Sequence, residues 1–218
     1  MMKDTVYLSS AYLAPVQYYT KLYAARTAYV EQHDNYMKQT YRNRCHIATA
    51  DGLLALSIPT EKPATPKCPM KDIRISDHGN WRHLHWNALC AAYRHSPFFE
   101  YYEDDFRPFY EQKYPFLYDF NEALCALVCS LIDLHPRILR TDSYRQTFAF
   151  DETDARELIH PKHPYTDDPD FCPKPYYQVF GEKHGFLPNL SIADLLFNMG
   201  PESLLVLRDS IVPNPQST

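Results

Sequence analysis

The chain has 218 residues, 45% of them hydrophobic, enough for one substantial core. It carries 22 Lys and Arg against 27 Asp and Glu, a formal net charge of −5, so no basic field favours nucleic acid as a partner. Its 5 glycines, Gly52, Gly79, Gly181, Gly185 and Gly200, are too scattered for a G-x-G-x-x-G turn or a Walker loop, which excludes a glycine-lined phosphate cradle of the usual kind.

The apolar runs at residues 53–56 and 123–128 fall far short of the roughly 20 residues that cross a bilayer. The start sets Asp4 beside Lys3 and breaks its apolar stretch at Ser9 and Ser10, which is not a signal-peptide pattern, so the expected location is the cytoplasm. Cys45, Cys68, Cys90, Cys125, Cys129 and Cys172 then read as free thiols rather than a disulfide framework. Cys125 and Cys129 share an apolar helical stretch and read as buried. His160, His163 and Cys172 with Asp167 offer zinc-type ligands, but the prolines between them favour a rigid loop. No metal site and no cofactor is assigned.

Residues 5–8 read as a short buried strand. Pro15 suits a first helical position, and Val16, Tyr19, Leu22 and Tyr23 recur at helical spacing. Residues 28–31 read as a second strand, completing a βαβ unit that predicts parallel pairing. Asp51-Gly52 between apolar runs at 43–48 and 53–58 predicts a hairpin. Pro59, Pro63, Pro66 and Pro69 impose an irregular connection over 59–70, and a short strand is expected at 73–75. Asp77 or Asn80 can cap a helix through Trp81, Leu84, His85, Ala88, Ala91 and Ala92, whose spacing sets Trp81 beside His85 and turns Trp86 away.

Residues 98–106 form a further helical segment that Pro108 bends or ends. Its Glu100, Glu103, Asp104, Asp105 and Arg107 read as a charged helix face. Asp119-Phe120-Asn121-Glu122 reads as a capping box ahead of Leu124, Leu127, Val128, Leu131 and Ile132. Residues 138–140 are expected to be a strand. The prolines at 161, 164, 169, 173 and 175 make 160–175 a loop. Ser191-Ile192-Ala193-Asp194 is a second capping box, and its helix stops at Gly200-Pro201. Hydrophobic periodicity continues across the proline clusters. The expected fold is one α/β domain over residues 1–218, a mainly parallel sheet with one antiparallel hairpin and flanking helices.

The densest polar stretch, residues 31–44, follows the second strand directly. In open α/β sheets ligands occupy the crevice beyond the carboxyl ends of the strands. If residues 38–44 are extended, a period of two puts Lys38, Arg42 and Arg44 on one face. Cations so placed either face water, as on a guarded edge strand, or surround an anion, and both readings stand. Asn43 beside them is a further substrate-binding candidate. His33 next to Asp34 could act as a general base with an orienting acid. Tyr12 and Gln17 in the first loop, and Gln178 farther on, could contact the same ligand. The 18 Tyr and 12 Phe either fill the core or line a pocket for a polar ring-shaped ligand. A serine elbow, G-x-S-x-G, is absent.

Several segments, taken in order, resemble the WbqC-like family of bacterial proteins. They are Ser10-Ala11-Tyr12-Leu13-Ala14-Pro15-Val16-Gln17-Tyr18-Tyr19, then Lys38 with Arg42-Asn43-Arg44, Leu56-Ser57-Ile58-Pro59 and Asn80-Trp81, and finally Tyr176-Tyr177-Gln178-Val179-Phe180 and Leu190 through Gly200. Ser9-Ser10 stands where a Gln often precedes the Pro-aromatic turn, and His33-Asp34 where paired acids are frequent. The resemblance implies a bacterial cytoplasmic protein of surface-polysaccharide biosynthesis, O-antigen included, with transfer of an aminoacyl or acyl group to a sugar as a fitting reaction. On that reading the protein is a transferase acting on an anionic or nucleotide-linked sugar. Lys38, Arg42 and Arg44 hold the anion, Tyr12 and Gln17 contact the acceptor, and His33 or Asp34 moves a proton. The alternative is a non-catalytic binding or assembly protein whose aromatic surface docks a partner enzyme. A nucleotidyl-transfer fold ranks last, because the paired-His turn is missing.

Overall fold

In the computed structural model, which describes residues 4–63, 65 and 67–213, the opening βαβ unit forms as its pattern predicts. Residues 1–3 and Pro66, read above from the sequence, lie outside the described residues. Strand β1 (Thr5–Ser9) buries Val6, Tyr7 and Leu8 in succession, the signature of a strand covered on both faces. Helix α1 (Val16–Ala24) follows, with Pro15 at its N-cap, where a missing N–H costs nothing. Strand β2 (Thr27–Glu31) then pairs parallel to β1, from Thr5 against Thr27 to Ser9 against Glu31.

The hairpin of β3 (Arg44–Thr49) and β4 (Gly52–Ser57) turns at Ala50-Asp51, and Gly52 takes a φ of 107° that other residues resist. Residues 73–75 are not a strand: Arg74 and Ile75 make single bridges, to Phe116 and Thr60, and among the described residues no partner of ladder length runs beside them. Helices α2 (Trp81–Tyr93), α3 (Phe99–Glu111) and α4 (Leu117–Leu131) come next. Trp81 lies against His85, ring centres 5.1 Å apart, while Trp86 packs on Tyr110. Pro108 does not end α3, which runs on to Glu111 and gives up a backbone bond only near its close. Nor does Asp119 cap α4. The helix starts at Leu117, whose N–H is taken by the Ile73 carbonyl, and Asp119 falls inside its first turn.

Strand β5 (Ile138–Arg140) stands where expected, whereas β6 (Glu152–Asp154) carried no apolar pattern to announce it. The short α5 (Gly181–His184) precedes α6 (Ile192–Met199), which Ser191 caps by accepting from the Ala193 N–H at 3.2 Å. Helix α7 (Ser203–Asp209) follows the turn at Gly200. There φ is 54° and a Cβ would stand 2.5 Å from the Phe98 ring, so only glycine fits. Every residue of α6 from Ile192 to Asn198 is buried, and Phe197 gathers the rings of Tyr93, Phe99 and Phe106.

The main sheet runs β5-β2-β1-β6, all parallel, and β3-β4 form a separate antiparallel pair. The fold is therefore α/β, as expected. Because β2 and β6 lie on opposite sides of β1, the strand order reverses between β1 and β6. That reversal opens a crevice at the carboxyl end of the sheet.

Candidate functional site

Two polar clusters crowd that end of the sheet. The first is closed upon itself. Glu31, the last residue of β2, is fully buried and accepts from the Thr141 hydroxyl and the His33 N–H, both at 2.8 Å, and from Arg156 Nη1 at 3.0 Å. Arg156 also grips Asp154 through Nε and Nη2, each at 2.8 Å, and lies 4.5 Å over the Tyr144 ring. Buried charges persist when paired this fully, and here they brace the ends of β2 and β6.

The second cluster is open. Arg42 is 3% exposed and donates from Nε to Asp34 Oδ2 at 3.1 Å. Its Nη2 reaches the same oxygen and, at 3.2 Å, Glu157 Oε1. Asp34 Oδ1 is buried without a hydrogen-bond partner among the described residues. Burial raises the Asp34 pKa, and the Arg42 charge opposes that rise. Glu157 leaves 57% of its side chain to solvent. The His160 ring, 4.8 Å from that of His163, is held below the usual imidazole range by burial first and by the His163 charge next. Asn121 on α4 ties the cluster to β1, donating from Nδ2 to the Arg42 carbonyl at 2.8 Å and to Ser10 Oγ at 3.0 Å.

The turn after β1 has a cavity on each side. A cleft of about 200 Å³ is lined by Ser10, Tyr18, Tyr118, Asn121 and Cys125 among others. A smaller hollow beside Thr40, Tyr41, Arg42 and Arg156 shares Ser10, Ala11 and Tyr18 with it. Chemically, Arg42 already faces two carboxylates, so the cluster has no positive charge to spare for an anion. A carboxylate oxygen without a donor can instead accept a hydrogen bond or a proton from a hydroxyl or amine.

The residues singled out from the sequence divide accordingly. Residues 38–43 form turns, with Gln39 at a φ of 62°, and only Arg44 enters β3, so Lys38, Arg42 and Arg44 do not share an extended face. Lys38 is exposed, and Arg44 donates to Ser57 Oγ at 2.9 Å. Within these turns the Arg42 side chain points inward to Asp34. His33 and Asp34 take different partners: His33 Nε2 donates to the Thr141 carbonyl at 3.1 Å, which fixes the ring proton on that nitrogen. Asn43 donates to the Ile58 carbonyl at 2.9 Å.

Tyr12 is fully buried, its hydroxyl 3.0 Å from His85 Nδ1 and 2.9 Å from the Tyr110 hydroxyl. Gln17 donates to Asp168 at 2.9 Å, and Lys21 pairs with the same carboxylate at 2.7 Å, fastening the 160–175 loop to α1. Gln178 bonds both ways with Leu187 and donates to Asp194 at 3.0 Å. These three side chains therefore serve the core and its loops rather than the crevice. Sequence reasoning missed Glu157, Asn121 and the position of His160, which lie 115, 79 and 118 residues beyond Arg42 and which no local pattern links to it. Among the described residues no group of three His, Cys, Asp or Glu side chains is gathered to hold a metal, the His160, His163, Cys172 and Asp167 set included.

A parallel sheet flanked by helices, with cavities at the carboxyl edge of its strands, places the chain among the open α/β proteins. Residues 10–159 match the WbqC-like protein family, and the chain belongs to that family. It is similar to "Uncharacterized protein Rv1507c" of Mycobacterium tuberculosis (strain ATCC 25618 / H37Rv), 27% identical over 240 residues that cover 95% of this chain and 98% of the relative. No solved structure matches it. Among the described residues no helix is long and apolar enough to cross a membrane.

Proposed function

We propose that this protein is a cytoplasmic transferase of bacterial surface-polysaccharide biosynthesis, of the O-antigen type, and that its acceptor is a nucleotide-linked sugar whose ring enters the crevice between β1 and β6. The observation that carries the reading is the orphaned Oδ1 of Asp34, a buried acceptor beside the switch point of a parallel sheet. A sugar hydroxyl or amine is the donor that would complete it. Asp34 then takes up the acceptor's proton as the acceptor's oxygen or nitrogen bonds to the acyl carbon of an activated acyl donor, whose leaving group departs with the pair of the broken bond; Arg42 orients Asp34, and Glu157 shares the guanidinium at the solvent side. The anion-gripping role first given to Arg42 passes to no single residue, since carboxylates already meet its charge.

The test is a thermal-shift screen of the purified chain against nucleotide-linked sugars and the corresponding free sugars. At least one should raise the melting temperature of the wild type. Asp34→Asn, which keeps the shape but lacks the basic oxygen, should lose most of that rise. No rise with any sugar or sugar nucleotide would end the proposal. An assembly protein with an aromatic docking surface is less supported, because the exposed Tyr101 on α3 and Phe150 beyond β5 stand on separate elements.

A further inference from the structure

The 200 Å³ cleft has a mostly apolar lining, with a few polar groups. Tyr18 of α1, Val30 of β2, Ile138 of β5 and Cys125 of α4 give it apolar walls. Ser10 and Asn121, hydrogen-bonded to each other, supply a polar pair in that lining. Ser10 Oγ accepts from Asn121 Nδ2, so its O–H is left to donate. Asn121 is 1% exposed, and its Oδ1 has no partner among the described residues. A hydroxyl with a proton to give thus stands beside an acceptor without a partner among the described residues, in a cleft whose other lining is mostly apolar. A cavity of about 150 Å³ is enough to hold a benzene ring, so this one admits a chain of comparable bulk.

We propose that the cleft binds a short-chain acyl amide of about six carbons in all, its aliphatic tail between Tyr18, Val30, Ile138 and Cys125, and its carboxamide against Ser10 and Asn121. The amide carbonyl accepts from Ser10, and the amide N–H donates to Asn121 Oδ1. A carboxylic acid of the same length fits worse. Its charge would face the Asn121 oxygen, with no N–H of its own to offer it. The inference needs only the cleft, and it holds whether or not transfer is catalysed at Asp34.

Cys125 reports on occupancy. It is partly exposed on the cleft wall, and hydrogen bonds from Cys129 and Tyr19 act against burial to hold its thiol below the ordinary range. The experiment is alkylation of the full chain by iodoacetamide, read cysteine by cysteine by peptide mass, without additive, with hexanamide and with hexanoate. Cys125 should react in the free protein. Hexanamide should slow it several-fold and leave the exposed Cys172 unchanged. Hexanoate should protect far less. Ser10→Ala should raise the half-protecting hexanamide concentration by roughly 2- to 10-fold, the worth of one hydrogen bond. Ala126→Trp, a change at an exposed position of the cleft wall, should abolish protection even if Ser10→Ala folds poorly. The proposal is overturned if Cys125 stays unreactive until the chain is unfolded, if hexanamide leaves its rate unchanged or slows Cys172 equally, or if hexanoate protects as well as hexanamide.

Discussion

On α6, Asp194 is met by three neutral donors, Tyr93 on one oxygen at 2.9 Å and Tyr176 and Gln178 on the other at 2.7 and 3.0 Å. Beside β1, Asp34 is met by one guanidinium on one oxygen, and its second oxygen has no partner among the described residues. Both carboxylates are buried, and burial raises the pKa of both. Among the described residues Asp194 pairs with no cation and depends on its donors, and both of its oxygens are occupied. Asp34 is anchored by charge and left with one oxygen vacant. The first arrangement holds α6 to the Tyr176 segment. The second resembles a binding group waiting for a donor. Buried polarity marks a site here only where its hydrogen bonding is incomplete.

The largest effect should come from Asp194→Ala. It strands the hydroxyls of Tyr93 and Tyr176 and the amide of Gln178 in the interior, at a cost of about 3–5 kcal/mol. Asp34→Ala should cost less, because Glu157 still faces Arg42 and the lost Oδ1 had no partner. Urea unfolding of the two variants ranks them directly. Equal losses, or a larger loss at Asp34, would mean that the open cluster is as structural as the closed one.

A second effect separates the two by pH. Burial pushes Asp194 up to about 6, although hydrogen bonds from Tyr176, Tyr93 and Gln178 pull the other way. An acid whose folded pKa is raised stabilises the fold most below its unfolded value, near 3.9. That contribution is lost as pH rises through the folded value. Wild-type stability relative to Asp194→Asn should therefore fall from pH 4 to pH 6 by up to about 3 kcal/mol and then level off. His85 works in the opposite sense, since burial lowers it to about 4 and its contribution disappears as pH falls from the unfolded range toward 4. It is present in both proteins, so the difference between their urea curves cancels it. A flat difference would show that Asp194 titrates like an exposed acid.

Local signals made the closed part of the molecule readable from sequence. The βαβ opening, the Asp51-Gly52 hairpin and the Ser191 cap each rest on neighbouring residues, and each forms. Strand β6 was missed because Glu152–Asp154 is short and polar and becomes a strand only through β1 beside it. The strand expected at 73–75 failed for the converse reason, an apolar pattern with no ladder to join. At the site, Asp34 and Arg42 were legible as residues but not as a pair. Period-two reasoning assumed an extended chain, whereas an ion pair eight residues apart needs turns. Glu157 enters from 115 residues away, and the distance leaves no trace in either segment.

The smallest expected effect sharpens the comparison most cheaply. Lys38 was grouped with Arg42 and Arg44 as a cationic grip, yet it stands exposed in a turn while Arg42 is buried on Asp34. Surface charges without a fixed partner contribute within about 0.5 kcal/mol. Lys38→Ala should therefore leave urea stability unchanged within that margin, and leave the thermal shift given by a nucleotide-linked sugar unchanged as well. Arg42→Ala should reduce both, because it strands the buried Asp34 carboxylate and frees the group that the acceptor must meet. If Lys38→Ala instead removed the shift while stability held, the anion would be gripped on the exposed turn. Binding would then belong to the rim of the crevice rather than to Asp34 within it.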